Sequence, residues 1–389
     1  MRAPAFPELS ARHLVTRTAR FGVFEKFYGR EVMCFYHGRG ALWRGIKLFG
    51  LRQNDKVLVP SYHCGVEVEA VLQGNVGIEF YRIKDDMTVD LRMLEEQIKA
   101  GYKAVLVIHY YGFPQPIEAI RQLCRKHNVH LIEDCAHALF SSYGGKPLGT
   151  YGDIAIFSPT KSLALPDGGA LLINNPEIKA VVRTERPNRA VVGKRIVGLL
   201  IRSQEGKADG RMLRAGVRGI RSLCSNCMSS RVSRTYNTGD VFDASMGHIG
   251  MSEISRRIMS GTPIDWVIRK RRLNFQYLLA GIRDSDYWKG CFTSLPDGIC
   301  PMFFPVRIRG ESRRVVQRVL QGFGIDTYVF GERLHPQLPK GQFPEAELLA
   351  REVLCLPIHQ QLDERKLDAI VKGMNFMHSV NFPFYRGES

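Results

Sequence analysis

Two residues stand where a side chain could do covalent chemistry. Lys161 lies in the loop between the apolar runs 153–158 (DIAIFS) and 169–174 (GALLIN), and Asp134 closes the run 129–134 (VHLIED). A lysine between apolar strands is partly desolvated, which favours the neutral amine that condenses with an aldehyde to give a Schiff base. A carboxylate at the carboxyl end of a strand faces the crevice where open α/β sheets bind ligands, although Asp134 would serve equally as the N-cap of a helix beginning at Cys135. His137, three residues on, either lines the same pocket or is a satisfied structural histidine. Gly38, Arg39 and Gly40 precede a helix with Leu42, Ile46 and Phe49 on one face, so free N–H groups and the helix dipole point at whatever sits before it, and phosphate is the natural guest. Ser158 shares the lysine loop, and the Gly168-Gly169 pair lets backbone pass close to a planar ligand. Together these segments suit an aromatic aldehyde that carries a phosphate.

Positioning such groups needs a sheet. From Lys56 to Asn174, β-branched and aliphatic runs at 56–60, 78–83, 103–109, 129–134, 153–158 and 169–174 alternate with helical patterns at 89–100 and 117–127, as in a parallel sheet covered by helices. After Met251 the order changes to a basic helix over 254–283, a β-like stretch 301–310, a helix over 311–322 and a closing helix over 363–377, which reads as a smaller α+β domain. The expected division is an N-terminal segment 1–30, a large α/β domain over 31–180 and 241–262, a basic insertion over 181–240, and a C-terminal α+β domain over 263–389.

The chain has 389 residues, 44% of them hydrophobic and 24% charged, ordinary globular usage. It contains no stretch of about 18 uncharged apolar residues, so an integral membrane protein is excluded. No apolar core with a cleavage site follows the N-terminus, and a cytoplasmic protein is expected. The nine scattered cysteines read as reduced thiols; Cys224 and Cys227 form a lone CxxC without a second pair, so no metal site is expected. Of the net charge of +17, a surplus of ten comes from 181–235, where thirteen basic residues face three acidic ones. This insertion, with helices expected at Ala190–Ile201 and Met212–Cys224, is either a solvated basic face or a surface for anionic lipid or substrate phosphate.

Asp134, Gly149–Ile154, Phe157-Ser158, Pro159-Thr160-Lys161, Asp167–Gly169, MSEI at 251–254 and LAREVLCLPIH at 349–359 occur in an order and spacing that resemble the DegT/DnrJ/EryC1/StrS family of pyridoxal-phosphate sugar aminotransferases. The resemblance covers roughly 35–175 and 245–378. It implies a fold-type-I transferase related to aspartate aminotransferase and a homodimer with active sites between subunits. It further implies that Lys161 forms the Schiff base with pyridoxal 5'-phosphate, that Asp134 pairs with the pyridine nitrogen, and that His137 lies beside the ring. Gly38, Arg39, Gly40 and Ser158 fall on the phosphate positions, and His248 matches a residue reaching the phosphate from the partner chain. The sequence departs from the pattern at His63-Cys64, which replace a Thr-aromatic pair whose ring stacks on the cofactor, so that Tyr62 or His63 would stack instead.

The implied reaction moves an amino group, with glutamate as donor, to a keto-sugar linked to a nucleotide diphosphate in polysaccharide or glycoconjugate synthesis. Sugar dehydration with the same cofactor accompanies loss of the lysine in this family, and Lys161 argues against it. A second class is a retired transferase fold acting as a scaffold through its basic insertion, which would also permit contact with an anionic membrane. Nucleic-acid binding ranks below both, for lack of any base-reading motif.

Overall fold

The computed structural model describes residues 2–15, 22–179, 183–205, 242–309 and 313–379. Each apolar run read from the sequence is a strand: β2 (Lys56–Pro60), β3 (Gly77–Tyr81), β4 (Ala104–Ile108), β5 (His130–Asp134), β8 (Ile154–Phe157) and β9 (Gly169–Ile173). With the short β1 (Met33–Phe35) they form one seven-stranded sheet, ordered β1-β9-β8-β5-β4-β2-β3. Strands β2, β3, β4, β5 and β8 pair in parallel and are largely buried, as expected for a sheet covered on both faces, while β6 (Ser142–Tyr143) and β7 (Lys146–Pro147) form a separate antiparallel ribbon. The sheet is mainly parallel, as expected, and the last strand is its exception: β9 runs antiparallel to both β8 and β1. The reason is the length of the link: Ser158–Gly168 holds only one turn of helix, Pro159–Ser162, too little for the crossover a parallel return needs. Lys161 rides on that turn.

Helices Leu91–Lys99 and Ile117–Lys126 fall within a residue or two of their expected spans. Asp90 caps the first, its carboxylate accepting from Met93 N–H at 3.1 Å. Beyond the sheet, the basic stretch expected as a single helix over 254–283 is two, Glu253–Ser260 and Ile264–Gly281. Gly261-Thr262-Pro263 divides them, since proline lacks the N–H and the preceding residue is driven out of helical φ/ψ. A second, antiparallel sheet of β10 (Trp288–Gly290), β11 (Phe303–Ile308) and β12 (Val353–Pro357) is flanked by helices Arg313–Gly322, Pro344–Glu352 and Glu364–Ser379.

The N-terminal segment lies against this second sheet. Ala3 bridges Ile325, Phe6 packs edge-on against Phe303, and Arg2 reaches Asp326 at 2.5 Å. From the basic segment, residues 189–205 form one helix, matching the expected Ala190–Ile201; the expected Met212–Cys224 helix and the Cys224/Cys227 pair lie outside the described residues. Among the described residues no helix is long and apolar enough to cross a membrane.

Candidate functional site

The pleat of β5 separates two adjacent acids. Successive strand side chains face opposite sides, so Glu133 and Asp134 meet different surroundings. Glu133 is sealed in: it accepts from the N–H groups of Gly149, Tyr151 and Gly152 and pairs with His109 Nε2 at 3.1 Å. His109 Nδ1 in turn accepts from Gln115 N–H. His109, Glu133 and Cys135 bring ligand-type atoms within 4.8 Å of one another, but these bonds already use the carboxylate and both ring nitrogens. The trio is a brace that pins the 149–152 turn under the sheet.

Asp134 points the other way, into a cavity of about 180 Å³ whose wall also carries Gly38, Arg39, Cys64, Glu67, His137, Ser158 and Lys161. Apolar Leu42, Ile108, Ala136 and Ile156 supply its faces and Phe330 its roof. Asp134 is buried, with Oδ1 accepting from Ala136 N–H at 2.8 Å. Burial above all, and then the charge of Glu67, push its carboxyl up to about 7, against the opposing pull of Lys161. Among the described residues Asp134 makes no ion pair, Lys161 acting on it only from beyond that distance.

Lys161 Nζ lies 3.1 Å from His137 Nε2. Burial, reinforced by the lysine charge, holds His137 well below the usual imidazole range, so its ring is neutral and its tautomer sets which way that bond is polarised. The ring is fixed by Tyr111, stacked at 5.6 Å, and by Phe330, edge-on at 4.8 Å. Tyr111 itself sits at φ +56°, a left-handed conformation that costs a non-glycine residue of order 1–3 kcal/mol and persists because its hydroxyl bonds Tyr62 and its ring is buried. Below the lysine turn, Ser162 C=O accepts from Arg271 Nη2 at 3.0 Å and Gln360 Nε2 at 3.1 Å. Asp167 accepts from both the N–H and Oγ of Ser252, the residue that caps helix Glu253–Ser260. The DGG and MSEI motifs therefore brace one loop from two sides.

At the opposite end, helix Gly38–Leu48 starts with no side-chain cap, and Gly38, Arg39 and Ser158 converge there. Gly169 is required for this entry: a Cβ there would lie 2.2 Å from the His37 backbone, so the close approach serves the chain rather than a ligand.

Three expected site residues lie elsewhere. His63 is buried behind the wall, stacked on Phe80 at 5.4 Å, and does not line the cavity. It cannot stack on a ligand there, because its ring is packed on Phe80 with Nδ1 accepting from Gly65 N–H, while Cys64 lines the cavity. Gly40 is committed to the helix, its N–H bonded to His37 C=O at 3.1 Å, so it offers no amide to a phosphate. His248 is exposed and edge-on to Trp43, outside this chain's cavity.

Glu67 was hidden from sequence reasoning. Its carboxylate accepts from Cys64 N–H at 3.1 Å and Cys64 Sγ at 2.8 Å and lines the cavity beside Asp134. In sequence it is an ordinary acid in the first turn of helix Val66–Leu72, and nothing in its spacing points inward.

The chain shares its fold with solved sugar aminotransferases. The aminotransferase TlmJ from Streptoalloteichus hindustanus superposes with a TM-score of 0.70 at 21% identity, over 97% of this chain and 99% of that one. Residues 22–196 match the model of the DegT/DnrJ/EryC1/StrS aminotransferase family. The dTDP-3-amino-3,4,6-trideoxy-alpha-D-glucose transaminase of Streptomyces venezuelae is 28% identical over 352 residues, 86% of this chain and 80% of that protein. GDP-perosamine synthase of Vibrio cholerae is 32% identical over 162 residues, 41% of this chain and 44% of that one. Residues 22–196 are thus similar to the DegT/DnrJ/EryC1/StrS aminotransferase family, and the chain shares the fold of the solved aminotransferase.

Proposed function

We propose that the protein is a pyridoxal-phosphate-dependent aminotransferase that moves an amino group from an amino-acid donor, glutamate by family resemblance, to a keto-sugar carried on a nucleotide diphosphate. One observation carries the reading: Lys161 and Asp134 open into the same cavity of about 180 Å³, with a helix N-terminus free of side-chain capping at its far end. The cavity fits the cofactor at each end. Gly38, Arg39 and Ser158 would hold the phosphate, where N–H groups and a guanidinium favour an anion. Asp134, short of a cation, would hold a proton on the ring nitrogen. When bound, the cofactor supplies the aldehyde that takes up the amino group and the ring that withdraws electrons from the substrate carbon.

The chain's own groups do the rest. Lys161 would hold the cofactor and would carry a proton at the substrate carbon, with His137 orienting Nζ. Ile108, Ala136 and Ile156 would exclude water from the cavity. Cys64, and not His63, would be the side chain of that pair facing the cofactor.

The homodimer is part of the proposal: exposed His248 would reach the phosphate site of a second copy. So are the large α/β and small α+β domains with the bounds given above, and a cytoplasmic setting, in keeping with seven cysteines that are all free thiols among the described residues. Contact of 181–240 with anionic membrane rests on its charge. The purified protein, given pyridoxal phosphate, should show a visible absorbance band that glutamate discharges. A protein that stays colourless would point to the scaffold instead.

A further inference from the structure

The contact between Lys161 and His137 can be polarised in two ways, and Tyr111 decides between them. Nζ and Nε2 lie 3.1 Å apart. Either a lysine N–H donates to a bare Nε2, or Nε2–H donates to the lone pair of an unprotonated amine; an ammonium carries hydrogens only and cannot accept. Where His137 keeps its proton settles the choice, and that is set by what faces its other ring nitrogen.

What faces it is a hydrogen. The backbone N–H of Tyr111 points at Nδ1 across 3.5 Å. That is long for a hydrogen bond, so its weight lies in direction more than in strength. A hydrogen on Nδ1 would meet the amide hydrogen, which disfavours the Nδ1–H tautomer and the doubly protonated ring alike. The ring is also buried and enclosed by Tyr111 and Phe330, surroundings that disfavour a charge on it. The remaining form carries its hydrogen on Nε2 and turns it toward Nζ. Among the described residues no carboxylate lies within ion-pair distance of Nζ to hold it as an ammonium.

The aim of that N–H comes from a strained backbone. Tyr111 sits at φ +56°, a conformation that persists only where its surroundings over-determine it. Tyr111 C=O accepts from Met302 N–H at 2.8 Å, and its hydroxyl meets that of Tyr62 at 2.9 Å. Gly112, at φ +99°, carries the chain so close to Cys300 C=O that a Cβ would lie 2.5 Å from it. The Tyr111 ring stacks on His137 with the planes 11° apart. One residue thus supplies both the face on which the imidazole lies and the hydrogen that selects its tautomer.

We propose that Tyr111 is a positioning residue for the lysine: its left-handed backbone fixes His137 in the Nε2–H form, and that hydrogen, donated to Nζ, keeps Lys161 an unprotonated amine until the aldehyde arrives. The inference rests on the aminotransferase reading for the aldehyde and adds to it the residue that readies the nucleophile.

The test compares full-length wild type with Tyr111→Gly and Tyr111→Val. Both variants lose the ring and the hydroxyl, but glycine takes a positive φ without cost and valine resists it. Protein labelled with nitrogen-15 histidine and freed of cofactor is read by long-range proton–nitrogen NMR, with His137→Gln identifying the signals of His137. Wild type and Tyr111→Gly should show a bare Nδ1 and a protonated Nε2, whereas Tyr111→Val should show the two tautomers mixed. On addition of pyridoxal phosphate, the adduct on Lys161 should form about fivefold more slowly in Tyr111→Val than in Tyr111→Gly, the weight of one net hydrogen bond. A protonated Nδ1 in wild type would overturn the inference, and that spectrum decides even if both variants unfold. Equal tautomers and equal rates in the two variants would overturn it as well, since the backbone conformation would then have no influence. Borohydride reduction separates the two claims: an adduct on Lys161 with Nδ1 protonated defeats the tautomer assignment alone, whereas a bare Nδ1 with no adduct on wild type defeats the aminotransferase reading.

Discussion

The two cavities that meet at Lys161 are built on different principles. Behind the narrow one, buried hydrogen bonds brace the loops that carry its residues: Glu133 accepts from three amides, Asp167 from Ser252, and the Ser162 carbonyl from Arg271 and Gln360. Around the wide one, a cavity of about 630 Å³ that Lys161 also lines, Arg195 and Arg202 sit at the ends of long side chains on one face of the helix 189–205. The difference teaches where this fold spends its rigidity. A reacting amine must be held within a fraction of an ångström of its geometry, so its supports are buried and fully bonded. Long guanidiniums such as Arg195 and Arg202 carry charge without such a frame.

Substitutions can sharpen or break this contrast. The largest effect is expected at Lys161: Lys161→Ala should lower turnover by about 10²–10⁴-fold or more and abolish the cofactor adduct, with the thermal midpoint little changed. Steady-state rates and circular dichroism check it, and unchanged activity would remove the lysine from the mechanism. Asp134→Asn, which cannot carry the negative charge, should cost on the order of 10²-fold in kcat with cofactor still attached. Arg271→Ala comes next. It strips Ser162, Pro301, Met302 and Gln360 of a buried donor, and unfolding in urea should show a loss of about 2–3 kcal/mol. No comparable loss is expected for Arg202→Gln on the exposed helix face, and similar losses at both would erase the contrast.

The smallest effect concerns pH. Asp134 ordinarily titrates near 3.8 and here is pushed up to about 7, first by burial and then by Glu67. Between those values the folded cofactor-free chain keeps a proton that the unfolded chain releases. This group therefore costs increasing stability as pH rises through that window. Glu67→Gln removes one of the two causes, so the Asp134 titration, followed by carbon-13 carboxyl shifts, should move to lower pH and the stability slope should flatten. A titration that stays put would show that the Glu67 charge does not reach Asp134.

Much of the rigid half was legible in the sequence and little of the adaptable half was. Buried parallel strands announce themselves as apolar runs, and the acid and lysine stand out because charge is out of place beside them. Strand direction was not legible: β9 turns back because its link is short, a property of the loop rather than of the GALLI run. His63 and Cys64 are neighbours, and which one faces inward depends on tertiary packing, His63 lying on Phe80 and Cys64 in the cavity wall. Gly40 looked equivalent to Gly38 until its amide was seen bonded within the helix. Glu67 looks like any first-turn acid. The N-terminal segment reaches the second sheet across more than 300 residues of sequence, and no periodic pattern encodes such a contact. The charge of the basic segment was plain from composition, whereas the face it turns toward Lys161 is a matter of tertiary packing.

The most direct test of the central claim is mass spectrometry of protein incubated with pyridoxal phosphate, reduced with borohydride and digested. The account predicts a pyridoxyl group on the peptide containing Lys161 and on no other, and its loss in Lys161→Ala. An adduct spread over surface lysines, or none at all, would contradict it.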